Sequence, residues 1–219
     1  MEKMEKVDVF LGIIGKKYPL KEVDAGDFAA IKASGMKFTV KAFDAEGLGR
    51  VSVMSAKGFF GLMKMDTVIV NPLFADLPLY SYDRILAMGN DTLIIELYDT
   101  LLGGFDEEKL TGIAKKYESI PGRDPGEHWY DSIKLGSSVS KKAKKDRSSE
   151  IDALAREHFE AFVEAPAPGV TDLEAKKKKA AVYVDGLLEK GGPSTDAFIK
   201  AIGADRTREL FRKVLFGLE

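Results

Sequence analysis

The sequence predicts an α+β fold in a single domain, with an antiparallel sheet from the first half of the chain and covering helices from the second. Three observations carry this. From residue 36 to residue 98 apolar side chains recur with period two, the period of a strand. The connections between those segments are short, which suits hairpins and excludes parallel crossovers. Beyond Gly103-Gly104 the apolar period becomes helical. Strands followed by helices mark a layered α+β domain. No Pro/Gly/Ser linker or internal repeat divides the 219 residues.

In chain order, residues 1–33 read as helical with a break at Pro19. MKFTVKAF alternates Met36, Phe38 and Val40 against Lys37, Thr39 and Lys41, so it is a half-buried strand. Glu46-Gly47-Leu48-Gly49 turns the chain into a second strand, RVSVMSA, and Lys57-Gly58 is the next turn. The strand from Leu62 to Val70 is apolar on both faces, the mark of a central strand. Asp106 can cap a helix over DEEKLTGIAKKY. A Pro/Gly-rich loop, IPGRDPGEHWYDS, follows, then IKLGSSV as an edge strand and KKAKKDR as a solvated charged run. In the last 70 residues Ile151, Leu154, Ala155, His158, Phe159 and Phe162 share one helix face. TDLEAKKKKAAVYVDGLLEK is a further helix, ended by Gly191-Gly192-Pro193, and two more follow with Gly203 between them at a left-handed position.

With 45% hydrophobic and 31% charged residues the chain is an ordinary globular one. A net charge of -2 argues against a nucleic-acid or anionic-membrane partner. No apolar run approaches the roughly 20 residues of a membrane span, and no signal peptide is read. With no cysteine there is no disulfide or thiolate metal site. The expected compartment is the cytoplasm.

The segment from Leu62 to Tyr98 reads as three consecutive strands. A symmetric hairpin centred between Phe74 and Ala75 sets Asp66 opposite Asp83, and a two-residue turn at Gly89-Asn90 sets Asp83 opposite Glu96. Directly paired like charges destabilise a sheet, so a row of three acids points to a site. Leu79, Ile85 and Ala87 share the face of Asp83. Burial and a neighbouring carboxylate both raise a carboxyl pKa, which suits a proton donor. The same acids could instead hold a divalent cation such as Mg²⁺.

LPLYSYD, residues 77–83, and the ending FIKAIGADRTRELFRKVLFGLE resemble the ferredoxin-dependent bilin reductases, with red chlorophyll catabolite reductase as a distant relative. Trp129 and the strand after it fit the same order, and the resemblance runs loosely from Met36 to the end. It implies a three-layer α/β/α sandwich holding a linear tetrapyrrole between the sheet and the C-terminal helices. It further implies no bound prosthetic group, single electrons from ferredoxin, and protons from side chains. The family's aspartate donor falls on Asp83. Where a member carries a catalytic histidine this chain has Asp66, where its partner glutamate stands this chain has Met54, and Gly191 and Gly192 replace an Asn-Asp pair.

The resulting expectation is a ferredoxin-dependent reductase of a linear tetrapyrrole, with Asp83 as donor, Asp66 as its partner and Glu96 as a third acid. The alternatives are a non-catalytic tetrapyrrole binder of the same fold and an interaction module with no pocket. Arg50 is a candidate for the acid row or a substrate propionate. His158 is either a core histidine or a group pointing into the pocket. Trp129 packs or walls the pocket, and His128 is expected to be exposed. Lys57, Lys64 and the 141–147 run are candidates for steering an acidic donor.

Overall fold

Eight antiparallel strands form the central sheet of the computed structural model, which describes residues 5–192 and 194–219. The helical start expected at residues 1–4 and the stop signal at Pro193 lie outside the described residues. The strands are β1 (Leu20–Val23), β2 (Ala30–Ala33), β3 (Met36–Ala45), β4 (Gly49–Gly58), β5 (Met63–Pro72), β6 (Leu79–Ala87), β7 (Asn90–Tyr98) and β8 (Val139–Lys144). From β3 to β7 they pair in chain order, and β8 closes one edge. β1 and β2 share the other edge, each pairing one half of β3.

One face packs on α1 (Glu5–Gly15), α2 (Glu108–Lys116) and α3 (Ser148–Glu164). There Val51, Val53, Val68, Val70, Tyr80 and Tyr82 meet Phe10, Leu110, Leu154, Phe159 and Phe162. The other face packs on α4 (Leu173–Lys190), α5 (Thr195–Ile202), α6 (Ala204–Glu209) and a π-helical turn, Leu210–Leu215. Both faces of β4 and β5 are therefore covered, as their two-sided apolar pattern requires. The expected three-layer α/β/α order and antiparallel sheet are what the chain forms.

Three local readings need correction. Among the described residues of the stretch 1–33, α-helix is Glu5–Gly15 and a 3-10 turn is Gly26–Ala29, while β1 and β2 stand where helix was expected, because Leu20–Val23 and Ala30–Ala33 find partners on β3. The edge strand expected over 133–139 instead runs over Val139–Lys144, into the charged run expected to be solvated. Val139 and Ala143 turn inward from β8, Lys142 is exposed on the outer side, and Lys141, on the inner side, is half-buried and donates to the Ile120 carbonyl at 3.0 Å. The turn between β4 and β5 is not Lys57-Gly58 but the next residues, Phe59–Leu62.

Two polar clusters fasten the layers. Arg84 of β6 is buried and donates to Asp91, to Asp152 and to the Ser148 carbonyl under α3. Lys176 of α4 is fully buried and donates to Asp76 Oδ1 at 2.9 Å and to the Leu77 carbonyl at 2.8 Å. Asp76 also accepts from the Leu102 and Gly103 amides. A buried ammonium survives in such a place only when paired and fully hydrogen-bonded.

Candidate active site

Between the α4–α6 face of the sheet and those helices lies a cleft with about 940 Å³ of space outside protein atoms, part of it continuous with solvent. Its floor is built by strand register. Met54, Thr67, Asp83 and Ile94 are successive cross-strand partners, and Ile69, Ser81 and Glu96 form the neighbouring row. Its roof is Tyr183 and Leu187 of α4, Thr195 of α5, and Phe211, Leu215 and Phe216. Arg123, Pro125, His128 and Tyr130, from the loop after α2, stand at its side.

Asp83 is half-buried because its carboxyl faces this enclosed cleft, and protein surrounds it on every other side. Burial pushes it up to about 6. The Thr67 hydroxyl, donating to Asp83 Oδ1, opposes the shift, and the nearby Glu96 charge adds to it. A carboxyl so placed is protonated about a tenth of the time at pH 7, far more often than an ordinary carboxyl. Glu96 accepts from the Tyr98 hydroxyl at 2.6 Å and has Lys134 Nζ at 3.9 Å, itself bonded to Asp131. Tyr98 stacks on Tyr183 with ring centres 3.9 Å apart, and burial holds both phenols well above their usual pKa.

The two hairpins decide which acids meet. Asp66 pairs with Arg84, not Asp83, so it projects from the opposite face and accepts from Ser55 Oγ there. The reason lies in the loop between β5 and β6. Ala75 bridges to Gly169, and the Asp76 and Val170 amides bond across the same pair of segments. That tertiary clamp moves the hairpin centre by half a residue, and a one-residue slip changes the face. At the second hairpin the turn residues are Met88 and Gly89, both with positive φ, as a type I′ turn demands. That shift is even, so Glu96 stays on the face of Asp83 but lies diagonal to it, opposite Ser81. Thr67, not Asp66, is the β5 residue facing Asp83 in the cleft.

Arg50 does not reach the acids. Its guanidinium donates to Asp44 and to the Lys213 and Val214 carbonyls, while Ser52 and Asn71 bond those of Leu215 and Phe216. The π-helical turn at the C-terminus leaves carbonyls that these strand side chains satisfy. His158 is a core histidine on the far side of the sheet, between the Tyr80 hydroxyl at 3.1 Å and the Ser137 carbonyl at 3.2 Å, and burial lowers it to about 4. Trp129 stands behind the cleft wall. Its indole lies against Gly186, where a Cβ would come within 2.2 Å of the ring, and Nε1 donates to the Gly191 carbonyl at 3.0 Å. It thereby pins His128 and Tyr130, whose rings stack at 4.8 Å, against the end of α4. His128 is half-buried at the cleft rather than exposed. With Asp66 on the other face the three carboxylates do not converge, and no group of three His, Cys, Asp or Glu among the described residues could hold a metal ion.

Thr67, Arg123, His128, Tyr130 and Tyr183 were not singled out from the sequence as cleft residues. The signals available were the His-Trp-Tyr run inside a Gly/Pro-rich loop and Tyr183 on the buried stripe of α4.

No family model and no curated protein matches the chain. Among solved structures it is similar to tomato phytochromobilin synthase in complex with biliverdin. The TM-score is 0.76 at 14% identity, over 97% of this chain and 82% of that one. The fold expected from the resemblance to bilin reductases is thus the fold the chain has.

Proposed function

We propose that the cleft binds a linear tetrapyrrole and that Asp83 gives it a proton during reduction by single electrons from a ferredoxin-type donor. The observation that carries this reading is a carboxyl raised to about 6 on the floor of a largely apolar cleft. The structural neighbour was crystallised with biliverdin, which makes that compound the first ligand to try. One electron entering a conjugated tetrapyrrole makes a radical anion, and a proton from Asp83 neutralises it. A second electron and a second proton complete a two-electron reduction. Glu96, whose charge acts on Asp83 and which stands 3.9 Å from Lys134 Nζ, is the neighbouring acid through which Asp83 regains its proton. Arg123 at the side of the cleft suits a propionate.

The test has two stages. Biliverdin added to the protein shifts its visible absorption if it binds. Reduced ferredoxin, added without oxygen, then bleaches or shifts that spectrum if the complex turns over. A second reading, a tetrapyrrole binder without catalysis, is favoured by one observation: the aspartate expected to partner Asp83 lies on the other face. Binding with no spectral change after the reductant supports it.

A further inference from the structure

All the non-glycine residues with left-handed backbone among the described residues, Ser34, Phe59, Phe60 and Met88, lie in three hairpin loops at one end of the sheet. That end is closed by a row of paired residues from Ala33 and Met36 through Gly58, Met63, Ala87 and Asn90 to Lys144. The loops project beyond it. Left-handed backbone is unfavourable for a residue with a Cβ. Here bulky apolar residues accept that cost without gaining burial. Phe60, Met88 and Phe59 are 108%, 92% and 57% exposed, and Leu62, beside them with ordinary right-handed backbone, is 75% exposed. Clustered apolar exposure of this kind marks an interaction site.

One residue inward from the closing row, Lys32 pairs with Lys37, Lys37 with Lys57, and Lys57 with Lys64. Directly opposed residues project from one face, so four exposed lysines stand on adjacent strands about 4.8 Å apart. The directly opposed charges of Lys32 and Lys37 destabilise the sheet, and an anionic partner relieves them. Lys200 of α5 borders the same basin as Lys32, Lys37 and Lys57, and Lys144 and Lys145 extend the positive end at β8. A net charge of -2 for the whole chain conceals this concentration.

We infer that this end of the sheet is a peripheral docking surface for an anionic lipid membrane, with Phe60, Leu62 and Met88 entering the headgroup region and the lysine row lying against phosphates. Buried apolar area and attraction to anionic lipid together set the strength of such binding. The placement of the apolar side chains favours lipid over a protein partner. Phe60 and Leu62 stand on one hairpin loop and Met88 on another, so a protein interface would need a matched cavity for each loop. A bilayer surface yields to any protrusion. No helix of the described residues is long and apolar enough to cross a membrane, so the contact is interfacial.

Co-sedimentation with phosphatidylcholine vesicles, with and without phosphatidylglycerol, tests this. The full chain sediments with the phosphatidylglycerol vesicles, less so as salt rises, and stays in solution with pure phosphatidylcholine. Phe60→Ser with Leu62→Ser abolishes binding. Lys37→Ala with Lys64→Ala weakens it about fivefold for each lysine. Lys178→Ala with Lys179→Ala, on the exposed side of α4, binds as the parent does. All these positions are exposed, and unchanged thermal melts establish that the variants fold. Failure to bind phosphatidylglycerol vesicles overturns the inference, as does undiminished binding by the Phe60→Ser, Leu62→Ser variant. So does binding of an acidic protein or an RNA homopolymer through the tip in place of vesicles.

Discussion

Asp83 and Glu96 project from the same face of neighbouring strands, two residues out of step, so that Ile94 lies opposite Asp83 and Ser81 opposite Glu96. The offset brings the Glu96 charge near enough to raise Asp83 while each carboxylate keeps its own hydroxyl partner, Thr67 for one and Tyr98 for the other. A directly opposed pair would repel more strongly. The diagonal placement biases one acid toward its protonated form and leaves the other bonded within the wall.

Glu96→Gln removes that bias. The Asp83 carboxyl then titrates at lower pH, because burial still raises it but the neighbouring charge no longer does. With the proposed activity, turnover falls as pH rises through about 6 in the parent protein, and the variant shows the same fall at lower pH. A pH–rate profile of each checks it.

Asp66→Asn leaves turnover within about twofold of the parent, since Asp66 lies on the face away from the cleft. The exchange alters one bond, that from Ser55, and costs at most about 1 kcal/mol. Urea unfolding and the reductase assay, run on the same preparation, measure both.

His158→Ala destabilises the protein by about 2–3 kcal/mol, through a cavity and an unpaired Tyr80 hydroxyl. Biliverdin binding persists, because His158 is across the sheet from the cleft. The folded value of about 4 lies below the ordinary 6.5, so an unfolded chain binds the proton first as pH falls. Stability from this group is complete above pH 6.5 and is lost as pH falls toward 4. The parent's melting temperature therefore drops over that window more steeply than the variant's.

Lys176→Met removes one member of a buried pair and leaves Asp76 with only its two backbone amides. Breaking such a pair costs about 3–5 kcal/mol. Chemical denaturation gives the value, and Lys178→Met, on the exposed side of the same helix, shows less than about 0.5 kcal/mol.

Much of this architecture was legible in the residues. Period-two alternation marked β3, the two-sided apolar run marked β5 as central, and Gly203 ends α5 with a φ of 85° where a left-handed residue was expected. The site was legible in part. Asp83 and Glu96 on one sheet face follow from strand period and an even register shift. The face of Asp66 does not, because it depends on Ala75 meeting Gly169, a pairing between segments far apart in the chain that leaves no local pattern. The reading of Arg50 failed for a similar reason, since its partners are carbonyls of a π-helical turn that the sequence presents as ordinary helix. Met88 in a turn that Gly89-Asn90 would have served better is a choice against local propensity, at the end where other exposed apolar residues gather.

The most direct measurement is anaerobic single turnover of the biliverdin complex with reduced ferredoxin, in the parent protein and in Asp83→Asn. The account predicts that both bind biliverdin, that only the parent yields a reduced bilin, and that the variant stalls at a radical spectrum. A variant that turns over at the parent rate would contradict it.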